Sequence, residues 1–295
     1  MSPRLALPPA GSTELHLEGR RLRLTSLDKV LWPATGFTKG RMIEYYVAVA
    51  DALLPHLAGR PLTLGRFPDG VEGPGFAQTE CRGRPEWMAT KRLRLRGGEV
   101  RDFCLVEDAP SLAWAANQGA IELHPYLGAG DAGEEAVLAL FDLDPGPDAG
   151  LLAAARLALR LRSLLGESGL RSFPKTSGGL GMHVYVPLNL PHPYDAVREF
   201  ARRVAGRLGA EDAVRIDWRQ NHPRRSTIAP YSLRAADRPT VSTPLAWQEV
   251  EAAVRDGQSG ALRFTADEAI ARLAGGDDPF RPVLELEQRL PALSA

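Results

Sequence analysis

Between residues 12 and 24 apolar and polar positions alternate, with Leu15, Leu17, Leu22 and Leu24 spaced two apart on either side of Gly19. That period predicts a strand pair turning at the glycine. Thr38 stands where a helix N-cap is wanted. Met42, Tyr45, Tyr46, Val49 and Leu53 then share one face of a helix reaching about residue 57. A strand over 61–67 follows, then a Gly/Pro-rich loop through Gly75. Residues 92–96 and 99–105 predict a hairpin around Gly97-Gly98, residues 111–118 a short helix, and 120–124 a strand.

The second half alternates more regularly. It predicts a strand over 136–144, a helix over 149–165, strands over 172–176 and 181–188, and a helix over 194–208. Strands over 213–218 and 226–230 come next, and from about residue 247 the chain reads as helix and acidic surface. The pattern is that of an α+β chain with two sheets facing a shared cleft. It shows no repeat and no firm domain boundary.

Composition narrows the classes. No apolar run reaches transmembrane length, and residues 1–18 lack the apolar centre of a signal peptide. Cys81 and Cys104 have no metal-ligand spacing and are expected to be reduced cytosolic thiols. The formal net charge is zero, yet residues 1–100 carry 15 basic and 10 acidic side chains and residues 201–240 carry 9 and 4. Residues 101–200 reverse this with 7 and 13, so basic stretches flank an acidic middle whose carboxylates a cation would offset. Of the 36 basic residues only Lys29, Lys39, Lys91 and Lys175 are lysines. In so Arg-biased a chain these four mark places where a compact ammonium is preferred to a planar fork.

The predicted strand over 136–144 is apolar until it ends in Asp142-Leu143-Asp144 before a Pro-Gly turn. Residues two apart in a strand face the same side, so the two carboxylates point together and repel unless a proton or cation lies between them. Oxygen-only donors suit magnesium or manganese; a lone Asp-x-Asp equally suits a solvated strand end. A third strand-end acid, Asp217, changes that balance. Three such carboxylates suit two cations ~3.5–4 Å apart, the arrangement of phosphoryl transfer in polymerases and nucleases. Between them runs Lys175-Thr-Ser177-Gly-Gly-Leu180-Gly-Met-His183. Its glycines fit either a plain hairpin turn or a nest of amides for phosphate, with Lys175, Ser177 and His183 as added donors. It is not a Walker A loop.

Taken in order, these motifs resemble the polymerase domain of bacterial ligase D, in the archaeo-eukaryotic primase superfamily. Phe141-Asp-Leu-Asp-Pro-Gly146, the 175–183 segment, Asp217-Trp-x-Gln-Asn221 and Thr227-Ile-Ala-Pro-Tyr-Ser-Leu-Arg234 carry the likeness. Asp28-Lys-Val-Leu-Trp-Pro, Thr38-Lys39, Tyr45-Tyr46, Ala115-Ala-Asn-Gln118 and His124-Pro125 extend it over roughly residues 20–250. The resemblance implies a primase-type fold in one domain over 1–295. Within it are an N-terminal part over about 12–130, a catalytic core over about 131–250 and a helical tail over 251–295.

It also implies a template-dependent DNA/RNA polymerase acting at DNA breaks or short gaps. Asp142, Asp144 and Asp217 would be the catalytic ligands of two manganese or magnesium ions. His124, Lys175, Ser177, His183, Gln220 and Arg234 would bind the NTP or dNTP. Lys29 and Lys39 would grip a DNA 5′-phosphate, and Phe76 would stack on the template. Cytoplasmic, nucleoid-associated action beside a separate DNA ligase and a Ku-like partner is expected, with no membrane. Gly65, Ala77 and Leu180 stand where relatives often carry a lysine, a second aromatic and a basic residue, each a lost phosphate or base contact. A non-catalytic end-binding protein and a metal-dependent phosphoesterase are the competing classes.

Overall fold

The β1 (Thr13–Leu17) and β2 (Arg20–Leu24) hairpin turns through Glu18 and Gly19, both at positive φ, as a two-residue turn matched to strand twist requires. It belongs to the first of two compact units of the computed structural model: Met1–Pro125, Ile228–Val241 and Thr265–Gly276. The second comprises Tyr126–Thr227, Ser242–Phe264 and Asp277–Ala295. The structure describes residues 5–95, 97–128, 135–209, 213–276 and 278–291. Residues 129–134, where the sequence sets the passage into the catalytic core, lie outside the described residues, as does Arg96 at the end of the predicted 92–96 strand.

In the first unit β3 (Val30–Trp32) pairs β4 (Phe37–Thr38) and leads into α1 (Lys39–Ala48), whose N-terminus is capped by Thr38 accepting from Arg41 N–H at 3.3 Å. The predicted single helix to residue 57 is broken. Val49 leaves the helical region, α2 (Ala50–Leu53) resumes, and Pro55, with no N–H to give, sits in a 3-10 turn over Leu54–His56. The apolar face stays buried throughout, including Tyr45, Tyr46, Val49 and Leu53.

β5 (Leu62–Arg66) is paired along one edge by β9 (Ala120–Pro125) and along the other by β6 (Phe76–Gln78). β8 (Val100–Cys104) joins at Leu62 and carries β7 (Thr90–Arg94) as a hairpin. α3 (Ala109–Asn117) starts at a capping box between Asp108 and Ser111.

Two further expectations fail. Cys81 and Cys104 are disulfide-bonded, not free thiols. The Cys81 N–H donates to Asp102 O at 2.7 Å, which lays its loop along β8 with the two Cα atoms 4.9 Å apart, inside disulfide range. Nor is the predicted strand over 226–230 formed. Pro230 lacks an N–H, Tyr231 takes a positive φ, and hydroxyl groups replace a ladder beyond it. Tyr45 OH donates to Tyr231 O (2.8 Å); Tyr46 OH donates to Ile121 O and accepts from Leu233 N–H (3.1 Å); Ser232 Oγ accepts from Leu123 N–H (2.9 Å).

The second unit is built on an all-antiparallel sheet. Its strands β10 (Ala136–Pro145), β11 (Phe173–Thr176), β12 (Met182–His192) and β13 (Val214–Asp217) stand in the order β11-β12-β10-β13. Phe141 and Leu143 of β10, with Met182 and Val184 of β12, face α4 (Gly150–Glu167) and α5 (Tyr194–Leu208) in one apolar core, joined by α6 (Trp247–Asp256). On the opposite face Leu138, Leu140, Tyr185 and Phe173 pack beneath Phe280 and Val283 of the C-terminal segment. The Gln288 side chain fastens that segment by donating to Pro187 O at 2.7 Å. Residues beyond 247 are therefore more than acidic surface, because Phe280 is fully buried. Among the described residues no helix is long and apolar enough to cross a membrane.

Candidate active site

The antiparallel register sets a straight row across the second unit's sheet. Lys175 of β11 is opposite His183 of β12, His183 is opposite Asp142 of β10, and Asp142 is opposite Asp217 of β13. Directly opposed residues share a face, so a cation, an imidazole and two carboxylates follow one another on the same side. Asp144, two residues along β10, lies on that side opposite Arg215. Beyond this row the same face carries the apolar patch under Phe280, while the helices close the other face.

His183 Nε2 lies 3.2 Å from Asp142 Oδ1, and His183 Nδ1 lies 3.3 Å from Thr227 Oγ1. Lys175 is fully buried, donates to Ser242 Oγ at 2.6 Å, and stands over the Tyr185 ring. Burial alone would push the Asp142 carboxyl up. His183, then Lys175 and Arg215, outweigh it and hold the group below its ordinary value of 3.8, so Asp142 stays anionic at neutral pH. Arg215 Nη2 donates to Asp144 Oδ2 at 2.7 Å, an exposed ion pair of modest strength. Asp217 Oδ1 accepts from the Arg219 N–H at 3.0 Å.

Each carboxylate of the expected triad thus has a protein partner. Among the described residues no three His, Cys, Asp or Glu side chains stand grouped to hold a metal ion as they are placed. The backbone nonetheless sets three hard-oxygen donors at neighbouring positions of one face, and the surface pair with Arg215 is cheap to open. The donor chemistry fits a divalent cation of the magnesium or manganese type, which Asp142, Asp144 and Asp217 would hold.

The 177–181 segment is the hairpin connection of β11 and β12, closed by Ser177 N–H donating to Gly181 O at 2.9 Å. Gly178 holds φ +79, and a Cβ on Gly181 would come 2.8 Å from Leu143 O. The tight turn and the approach to β10 both demand glycine. Ser177 Oγ accepts from the Gly179 N–H at 3.3 Å, and Leu180 is 44% exposed at the tip. Beyond Asp217 a 3-10 turn over Trp218–Gln220 carries Gln220, whose Oε1 is buried without a hydrogen-bond partner.

The first unit holds the remaining expected residues. His124 and Arg234 meet on one acid: Glu122 Oε2 is 2.9 Å from His124 Nε2, and Glu122 Oε1 is 3.1 Å from Arg234 Nε and also accepts from Ala235 N–H. Burial would raise the Glu122 carboxyl, but the His124 hydrogen bond, Arg234 and the Ala235 amide bring it below 4.5. A Cβ on Gly65, the cross-strand partner of Glu122, would lie 2.8 Å from Glu122 Cβ. Lys39 donates its backbone N–H to Lys29 O at 2.8 Å, so the two lysines are backbone neighbours. Lys29 Nζ pairs with Asp69 at 2.8 Å. Lys39 is 8% exposed and lies 3.4 Å from Thr25 Oγ1; burial, with Lys29 and Arg66 adding repulsion, brings it down to about 8. Phe76, on β6, is 49% exposed with the Arg66 guanidinium 5.3 Å from its ring centroid. Arg66 is itself held by Gln78 Oε1 and Gln118 O, both at 2.7 Å.

Sequence reasoning passed over Glu122, Arg215 and the role of Asn221. The first two carried a usable signal, because each lies two residues from a singled-out side chain in a predicted strand and so shares its face. Asn221 carried none.

The family model described as "LigD, primase-polymerase domain" matches residues 38–213 and 210–280. The chain is 37% identical over 286 residues to the multifunctional non-homologous end joining DNA repair protein LigD of Mycobacterium tuberculosis, covering 88% of this chain and 36% of that protein. It is 30% identical over 276 residues to the bifunctional LigD of Bacillus subtilis, covering 88% and 44%. It therefore spans only about a third to under a half of these relatives. Among solved structures, the polymerase domain from Mycobacterium tuberculosis ligase D in complex with DNA superposes with TM-score 0.81 at 35% identity, covering 90% of this chain and 98% of that one. The α+β fold is that of a ligase D polymerase domain, the enzyme class is nucleotidyltransferase, and the chain belongs to the LigD primase-polymerase domain family.

Proposed function

We propose that this chain adds ribo- or deoxynucleotides, under template direction, at DNA breaks and short gaps. The observation that carries the reading is the placing of Asp142, Asp217 and Asp144 at neighbouring positions on one sheet face in a fold of this family. Two manganese or magnesium ions at these carboxylates would supply charge neutralisation at the attacking hydroxyl and the leaving pyrophosphate. Asp142 keeps its negative charge against burial. His183 orients that carboxylate from the neighbouring strand, and Lys175 balances the row from within the core. Gln220 presents a desolvated acceptor to a sugar or base donor. Ser177 would contact the triphosphate, as would His124 and Arg234, which Glu122 holds as a pair. Lys39 and Lys29 would bind a downstream 5′-phosphate, and Phe76 would stack on a template base. The setting would be end joining or gap filling beside a ligase and a Ku-like protein, since the relatives matched are end-joining proteins.

The Arg215–Asp144 ion pair favours a second reading, an end-binding protein without turnover. Primer extension on gapped DNA, with each nucleotide type and each metal, separates the two. Templated addition that falls more than about 100-fold in Asp142→Ala, beyond the loss expected from a mere supporting partner, establishes the polymerase. No addition, with phosphate-dependent DNA binding intact, establishes the binding protein.

A further inference from the structure

β13 stops at Asp217, where the backbone leaves the extended region for the 3-10 turn, yet the pairing of β10 does not stop there. Asn221, 1% exposed, brings its side-chain amide to Leu140: Oδ1 accepts from Leu140 N–H at 2.8 Å and Nδ2 donates to Leu140 O at 2.7 Å. Continued past Asp142↔Asp217, the register would set Leu140 opposite position 219, and these are the two backbone groups that a strand residue there would have bonded. Nδ2 also donates to Trp218 O at 2.9 Å, and Asn221 N–H reaches the same carbonyl at 3.3 Å. A single primary amide therefore continues the ladder and closes the turn that bears Gln220.

We infer that Asn221 is a positioning residue for the carboxylate row, holding β10 and the 217–221 turn in one register so that Asp142 and Asp217 stay opposed. A primary amide presents a donor and an acceptor side by side without needing a proton from solvent, as a strand residue offers them. The edge of β10 beside Asp142 would otherwise leave two buried backbone groups unpaired. Asn221 ties the strand two residues before Asp142 to the turn that follows Asp217, so slack there separates the acids without removing either.

This rests on the reading of the row as a cation site, and the test is chosen to tell the two apart. Manganese binding is titrated directly, by the loss of its free paramagnetic signal, in the full chain without DNA or nucleotide. Amide exchange of Leu140 is followed in parallel, and primer extension is measured separately. Leu161→Ala, a buried residue of α4 on the far side of the sheet, serves as a destabilised control. Asn221→Ala is expected to lose Leu140 protection and on the order of tenfold in manganese affinity, the usual scale for a residue that supports a ligand. Its kcat should fall with nucleotide KM little changed, while Leu161→Ala keeps wild-type manganese affinity and kcat. Unchanged manganese affinity and kcat in folded Asn221→Ala would overturn the inference, as would equal losses in the control. Should Asn221→Ala not fold, Asn221→Ser, which removes the paired donor and acceptor without adding charge, decides by the same readouts. Wild-type protein that binds no manganese and incorporates nothing sinks the function reading instead, and Leu140 exchange still reports whether the clamp exists.

Discussion

Raising the pH from 7 to 9 should weaken recognition of a DNA 5′-phosphate, and the reason is Lys39. Its ammonium is held down to about 8 by burial and by the nearby charges of Lys29 and Arg66, with Thr25 Oγ1 at 3.4 Å as a neutral neighbour and Asp69 engaged by Lys29. A value near 8 leaves about nine-tenths of the group charged at pH 7 and about one-tenth at pH 9. The phosphate, whose second pKa is about 6, is already mostly dianionic at pH 7 and gains little charge above it. If the bound state needs the ammonium, the dissociation constant for gapped DNA bearing a 5′-phosphate rises about tenfold between pH 7 and 9. The constant for the same DNA ending in a hydroxyl changes little. The stability effect has the opposite sign. A lysine whose folded value lies below 10.5 costs the fold stability below about pH 8, and the cost is relieved as pH climbs from there toward 10.5. Binding and folding thus ask for different charge states, as expected of a cation kept ready for an anion. The assay is fluorescence anisotropy with matched phosphate and hydroxyl ends at constant ionic strength, since counterion release would otherwise swamp the difference. Lys39→Arg, which stays charged, should flatten the profile. A tenfold loss that persists in Lys39→Arg, or no loss in the wild type, would refute the argument.

Gly181→Ala sets a methyl 2.8 Å from Leu143 O, a backbone atom that cannot swing away. It should destabilise the second unit by about 1–3 kcal/mol and lower incorporation, seen as a shifted denaturant midpoint; a midpoint within error of wild type would show that the hairpin tolerates the contact. Tyr46→Phe removes a hydroxyl that serves Ile121 O and Leu233 N–H inside the first unit. A buried amide and carbonyl left unpaired cost about 1–3 kcal/mol, and chemical denaturation giving less than half a kcal/mol would refute that role.

Much of the molecule was legible along the chain because its signals are local. The β1–β2 hairpin declared itself by alternation around Gly19, the face of α1 by Met42, Tyr45 and Tyr46, and the shared side of Asp142 and Asp144 by their spacing of two. Each depends on residues within a turn or a strand of one another, where backbone geometry alone relates sequence to direction. Even Glu122 and Arg215 were within reach by the same parity.

What lay beyond reach was register and long-range pairing. Nothing within 136–145 says that Asp142 will stand opposite His183 on one side and Asp217 on the other, because antiparallel register is settled by the packing of both strands on the α4 and α5 core. The Cys81–Cys104 bond needed the loop before β7 to lie along β8, and the missing 226–230 strand turned on Pro230, which gives no N–H, and on Tyr231, whose positive φ and bond from Tyr45 OH take the chain out of a ladder. Phe280 lay hidden in an acidic stretch until the sheet offered Tyr185 to cover. The sequence by itself determined the elements, their buried faces and the chemical types gathered near their ends. Only the tertiary structure decided which of those groups meet, since a hydrogen bond or ion pair between residues some 80 positions apart leaves no periodic trace in either segment.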